Sequence, residues 1–77
     1  MNILITGGVG FIGTNTAIFF AKDKKNRITI IDNFSRKEVD KNALFIKKNY
    51  PQIKIIKTNV FDIDKYFNEI KKANVII

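Results

Sequence analysis

The chain has no cysteine and no histidine, so disulfide frameworks, thiolate metal sites and imidazole chemistry are excluded together. Only scattered carboxylates are left as metal ligands, and none is clustered, so no metal site is expected. Long apolar runs are also missing: none exceeds five residues, far short of the ~20 a membrane-spanning helix needs. Met1-Asn2 leads straight into a strand pattern with no basic leader, so the expectation is no signal peptide, no membrane partner and a cytoplasmic chain. Acidic residues are scarce, 7 against 14 lysines and arginines, for a formal charge of +7. The lysines gather in Lys22-Asp23-Lys24-Lys25, Lys47-Lys48 and Lys71-Lys72, at the ends of expected helices. Cations there complement the helix dipole, so solvated helix ends are favoured over a nucleic-acid surface. The excess still favours anionic ligands.

What remains is one small unit of 77 residues with 45% apolar content. That is below the common domain size of about 100–150 residues but ordinary for a folded chain. No internal repeat or low-complexity linker interrupts it. The segment Thr6-Gly7-Gly8-Val9-Gly10-Phe11-Ile12-Gly13 lies between an apolar β-branched run and a helical pattern. Gly7 permits a sharp exit from the strand, Gly10 leaves room for backbone amides to approach a pyrophosphate, and Gly13 lets the helix pack closely on the sheet. The helix N-terminus adds amides and the positive end of a dipole. A second buried-strand pattern, Arg27-Ile28-Thr29-Ile30-Ile31, ends at Asp32, about 20 residues past the glycines as a dinucleotide fingerprint requires. A carboxylate there accepts both hydroxyls of the adenosine ribose and repels a 2′-phosphate, favouring NAD over NADP. The plainer alternative is a strand-turn-helix with a solvated Asp32.

The periodicity predicts strand 2–6, helix 11–22, strand 28–31, helix 40–49, strand 53–57, helix 63–72 and strand 74–77. Alternating strands and helices imply βαβ crossovers and a Rossmann-type α/β parallel sheet covered on both faces. In the first helix Ile12, Thr16, Ala17, Phe20 and Ala21 make an inward stripe, with Phe19 beside it. Asp40 is the expected cap of the second helix, with Val39 and Leu44 as a hydrophobic staple. Pro51 after Tyr50 stops that helix, and Asp62 is placed to cap the third.

The glycine segment, Asp32-Asn33-Phe34-Ser35-Arg36 and the strand Ala73-Asn74-Val75-Ile76 together resemble the start of an extended short-chain dehydrogenase/reductase of the NAD-dependent epimerase/dehydratase family. Within that family the run from Asp32 through Lys37 is most similar to the CDP-paratose 2-epimerase (CDP-tyvelose epimerase) group. The resemblance implies NAD as cofactor, with Gly7, Gly10, Phe11 and Ile12 around the pyrophosphate, the last two through their amides, and Gly13 against the sheet. It implies Asp32 on the ribose, with Asn33 and Ser35 near it. Arg36 lies either against the adenine or a phosphate, or in solvent as a loop cation. Asn59-Val60 stands where the family has Asp followed by Ile or Val beside adenine. Asn59 either accepts from the adenine amino group or serves only as a turn residue.

The family transfers hydride with a Tyr and a Lys one helical turn apart. Tyr50 and Lys54 have that spacing, but Pro51 follows Tyr50 and Lys54 falls in a strand pattern, so one helix face cannot present both. Tyr66 has Ile70 four residues on, and Asp62 with Asp64 fits a helix start. No catalytic residue is therefore assigned. Ending on Val75-Ile76-Ile77, with an open apolar sheet edge, favours a fragment comprising part of an NAD-binding domain. In the full-length parent a nucleotide sugar would be oxidised at a hydroxyl carbon and re-reduced, in an enzyme family often homodimeric. The alternatives are a non-catalytic dinucleotide-binding or redox-sensing module, and a basic nucleic-acid-binding protein. Against the latter, the lysines are dispersed and not interleaved with aromatics.

Overall fold

Strand β1 (Asn2–Thr6) carries Ile3, Leu4 and Ile5 consecutively, and all three are buried. Neighbouring residues of a strand point to opposite faces, so a run like this needs cover on both sides, as in a parallel sheet. The computed structural model, which describes residues 1–7, 9–35 and 38–77, shows that arrangement. After β1 come α1 (Phe11–Ala21), β2 (Arg27–Asp32), α2 (Val39–Asn49), β3 (Lys54–Lys57), a 3-10 turn (Ile63–Lys65), α3 (Phe67–Lys72) and β4 (Val75–Ile76). The sheet order is β3-β2-β1-β4 with every pairing parallel. Hydrogen bonds on both sides of β4, from Asn74 N–H to Asn2 O and from Ile77 N–H to Leu4 O, both 2.8 Å, continue its ladder with β1. The fold is the Rossmann-type α/β arrangement expected from the order of elements.

Two cores lie on opposite faces of the sheet. Ile3, Ile5, Ile28 and Ile30 pack with Ala17 and Ala21 of α1 and with Val39, Ala43 and Ile46 of α2. Leu4 and Ile31 face the other way and meet Tyr66, with Ile70 and Ala73 alongside. The first face is covered by two 11-residue helices and the second by the 6-residue α3.

Local expectations in α1, α2 and the segment 63–72 are corrected. In α1 the stripe holds at Ala17, Phe20 and Ala21, which lie in or against the first core, whereas Ile12 and Phe19 are exposed and Thr14 is buried. Apolar residues occur nearly all round this helix, so periodicity alone could not settle which end of the stripe is buried. Helix α2 begins at Val39, with Glu38 at its N-cap position and no side-chain cap bond. Val39 is drawn into the core and Leu44 left in solvent, so the staple does not form, and Asp40 sits inside the first turn, where its charge suits the dipole. The segment 63–72 is broken at Tyr66, whose φ −138° and ψ 25° leave the helical region. Its ring enters the second core and its hydroxyl donates to the Val60 carbonyl. Asp62 precedes the 3-10 turn, without a side-chain cap bond. The helix stop at Tyr50 is as expected, its N–H donating to Ile46 O at 2.7 Å before Pro51.

Candidate functional site at the C-terminal ends of the strands

The glycine segment leaves β1 through Gly7, whose N–H donates to Ile31 O at 2.7 Å. Its φ is +67°, and an added Cβ would meet nothing within 4 Å. Backbone conformation, not space, therefore demands glycine here. Val9 is fully buried and pinned at both backbone groups: its N–H donates to Asp32 Oδ2 at 3.3 Å, and its carbonyl accepts from Asn42 Nδ2 at 2.7 Å. Gly10 occupies the N-cap of α1, and the helical ladder starts with Thr14 N–H to Gly10 O at 2.9 Å. The amides of Phe11, Ile12 and Gly13 thus belong to the first turn, which has no intrahelical acceptors for them. Phe11 and Ile12 hold their side chains out in solvent, 80% and 79% exposed, so their amides are what these positions offer a ligand bound by the loop. Gly13 is half-buried next to the buried Thr14.

At the end of β2, Asp32 uses one oxygen for Val9 and the other for Phe34 N–H at 2.9 Å. Asn33 Oδ1 accepts from Ser35 N–H at 3.1 Å. Between these side-chain-to-backbone turns Phe34 adopts φ +60°, with its ring against the first core and the Lys57 ammonium 5.5 Å from the ring centroid. A carboxylate has about four lone-pair sites, so Asp32 retains acceptor capacity after holding both amides.

A cavity of about 350 Å³ opens beside it, lined by Thr6, Gly7, Ile31, Asp32, Asn33, Ser35, Thr58 and Val60. Five of the residues singled out in the sequence meet here: Gly7, Asp32, Asn33, Ser35 and Val60. Gly10 and Phe11 line a second cavity of about 320 Å³ with Glu38, Val39, Lys41 and Asn42. Ile12, Gly13 and Asn59 line neither. Asn59 Oδ1 accepts from Phe61 N–H at 3.0 Å and its carbonyl from Asp62 N–H at 3.0 Å, the behaviour of a turn residue. Arg36 lies outside the described residues.

Sequence reasoning missed Thr58, Val9 and Asn42. Thr58 is signalled only by its place just after a strand. Its N–H donates to the Asp32 carbonyl at 3.0 Å, and among the described residues its buried Oγ1 has no partner. Val9 and Asn42 carry no sequence signal, since their roles rest on backbone groups brought together by folding.

A third cavity, about 320 Å³, lies at the opposite, N-terminal end of the strands and includes Asn2, Arg27, Lys54 and Glu69 in its lining. In open α/β sheets ligands bind at the carboxyl ends of the strands, and there the glycine loop and Asp32 converge. Lys54 is ion-paired to Glu69 at 3.1 Å on β3, while Tyr50 ends α2, so the two share no helix face. Among the described residues there is no group of three or more potential metal ligands, and no helix is long and apolar enough to cross a membrane.

No protein-family model matches the chain. Two curated proteins of Arabidopsis thaliana, a probable UDP-arabinose 4-epimerase 3 and a putative UDP-arabinose 4-epimerase 2, are each 49% identical over 35 residues, 46% of this chain and 8% of theirs. A solved UDP-glucuronic acid 4-epimerase from Bacillus cereus, in complex with UDP-glucuronic acid and NAD, superimposes with a TM-score of 0.85 at 22% identity, over 100% of this chain and 25% of its own. A dTDP-glucose 4,6-dehydratase from Bacillus anthracis, in complex with NAD, gives 0.76 at 28% identity, over 99% and 25%. The chain thus spans about a quarter of these solved proteins. The matches support the NAD-dependent epimerase/dehydratase family and do not single out CDP-paratose 2-epimerase.

Proposed function

We propose that the chain is a partial NAD-binding Rossmann domain, the cofactor-binding N-terminal portion of a nucleotide-sugar epimerase or dehydratase. The observation that carries this reading is the bond between Asp32 Oδ2 and Val9 N–H. It joins a carboxylate at the end of β2 to the loop that leads into the first-turn amides of α1, so a ribose acceptor and a phosphate cradle are held side by side. The residues fit a dinucleotide: a left-handed Gly7, first-turn amides with no helical acceptor, a cavity of about 350 Å³, and in its wall a buried Thr58 hydroxyl with no partner among the described residues.

In the reading proposed, Asp32 receives the adenosine ribose hydroxyls, with Asn33 and Ser35 beside it. Val60 lies along the adenine, and the amides of Phe11 and Ile12 hold the diphosphate at the positive end of α1. Gly10 keeps that approach clear, and Gly13 lets α1 pack closely on the sheet. NAD, when bound, supplies the acceptor and donor of hydride for transient oxidation and re-reduction of a sugar carbon. This chain contributes cofactor positioning; with Tyr50 and Lys54 on different elements, it has no catalytic pair of its own. The nucleotide sugar would be a ligand of the longer parent protein. A CDP-paratose 2-epimerase-like parent rests on the run Asp32 through Lys37 alone, whereas the similar proteins above are named for UDP- and dTDP-sugars.

Side-by-side titration of NAD and NADP into the chain tests the proposal. NAD binds more tightly, because the Asp32 carboxylate faces the position of the 2′-phosphate. Equal or tighter NADP binding overturns the ribose assignment. A non-catalytic dinucleotide module would bind NAD equally; a coding frame that continues into a helical Tyr-x-x-x-Lys distinguishes the enzyme from it.

A further inference from the structure

We infer that Asn42 is a positioning residue for the diphosphate-binding loop, an inference that rests on the dinucleotide reading above. Asn42 is in the first turns of α2, 33 residues from Val9, and its Nδ2 donates to the Val9 carbonyl at 2.7 Å in a partly buried setting. Only the amide nitrogen can serve, because the partner is an acceptor. On the opposite side of the same residue, Val9 N–H is taken by Asp32 Oδ2, and the Val9 side chain is fully buried. The loop is therefore fixed between two elements that lie outside it, the end of β2 and the start of α2. The next residue, Gly10, is the N-cap of α1, so the direction in which the Phe11 and Ile12 amides point depends on where Val9 is held.

Asn42 lines the cavity that includes Gly10, Phe11 and Lys41, on the phosphate side of the site, and is absent from the wall of the cavity at Asp32. It acts through Val9 and not through the ribose. Removing its amide leaves the Val9 carbonyl without its donor and the loop held from one side only. The loss falls on ligands that carry a diphosphate.

The test compares wild type with Asn42→Ala and Asn42→Asp for binding of NAD, ADP and adenosine, alongside thermal midpoints and hydrogen exchange of the Val9, Gly10 and Phe11 amides. Asn42→Ala is expected to weaken NAD and ADP by about tenfold, the size of one lost hydrogen bond with an unpaired carbonyl, and to leave adenosine within about twofold. Asn42→Asp, which sets an acceptor against the carbonyl and adds negative charge, is expected to lose more. Exchange of the three amides accelerates in both variants. Unchanged ADP binding in Asn42→Ala overturns the inference, as does an equal loss for ADP and adenosine, which a purely structural role would produce. If wild type binds neither NAD nor ADP, the dinucleotide reading fails separately. Exchange then decides alone: faster exchange of the loop amides supports the tether, and unchanged exchange overturns it.

Discussion

Asp32→Asn removes a charge while keeping the shape of the side chain, and its effect can be worked from two contacts. In the native chain one carboxylate oxygen accepts from Phe34 N–H at 2.9 Å and the other from Val9 N–H at 3.3 Å. An amide has a single oxygen, so in the variant one of these donors faces an NH2 group. Since Val9 is buried, the stability cost is about 1–2 kcal/mol, equivalent to a midpoint lower by about 5–10 °C in a chain of this size. On the ligand side, charge-assisted bonds to the two ribose hydroxyls become at best one neutral bond. That is a loss of about 3 kcal/mol, or roughly a hundredfold in dissociation constant for NAD. NADP should lose much less, because the repulsion of its 2′-phosphate disappears with the charge. Calorimetric titration of both cofactors into both proteins, with thermal melts of each, reads all three effects. An NAD affinity within about threefold of wild type, with an unchanged midpoint, would mean that Asp32 holds neither the ribose nor the loop.

Gly7→Ala forces a Cβ into a left-handed conformation with no clash to relieve, so it should cost about 1–2 kcal/mol, and Gly7→Asn should cost less; equal midpoints for all three proteins in thermal melts would contradict this. Tyr66→Phe loses the bond to the Val60 carbonyl while keeping the ring in the second core, for a loss of about 1 kcal/mol in urea unfolding, and an unaltered midpoint would remove that tether from the account. Ile30→Ala empties a fully buried position of the larger core and should cost about 2–5 kcal/mol; circular dichroism showing a fully folded variant of native stability would place the core elsewhere.

Element order was legible because its signals are local. The apolar triplet Ile3-Leu4-Ile5, the glycines after it and Pro51 after Tyr50 each act within a few residues, and strand-helix alternation then leaves the parallel sheet as the economical solution. The inward face of α1 was legible at Ala17, Phe20 and Ala21, which reach the core, but not at its first turn, where apolar Phe11 and Ile12 stay in solvent and Thr14 is buried instead. Tyr66 was hidden as well. Its pattern suits a continuous helix, and a tertiary bond to Val60 with burial against Leu4 breaks it.

At the site, Gly7 and Asp32 could be read because backbone conformation and charge confine them to particular residue types. The tether of Val9 to Asn42 could not, because an asparagine on a helix and a valine in a loop have many uses, and only folding brings one amide to the other's carbonyl. At Asn59 the turn is observed, Oδ1 accepting from Phe61 N–H, and the same oxygen keeps a second lone pair for a ligand.

Whether this chain forms a dinucleotide site is decided by calorimetric titration of NAD into the 77-residue chain, followed by a thermal melt at saturation. Binding is expected at one saturable site, with a midpoint that rises with NAD concentration as stability increases by about 2.7 kcal/mol at a hundredfold excess over the dissociation constant. A cooperative melt that NAD does not shift, with no heat of binding at millimolar cofactor, would contradict the dinucleotide reading.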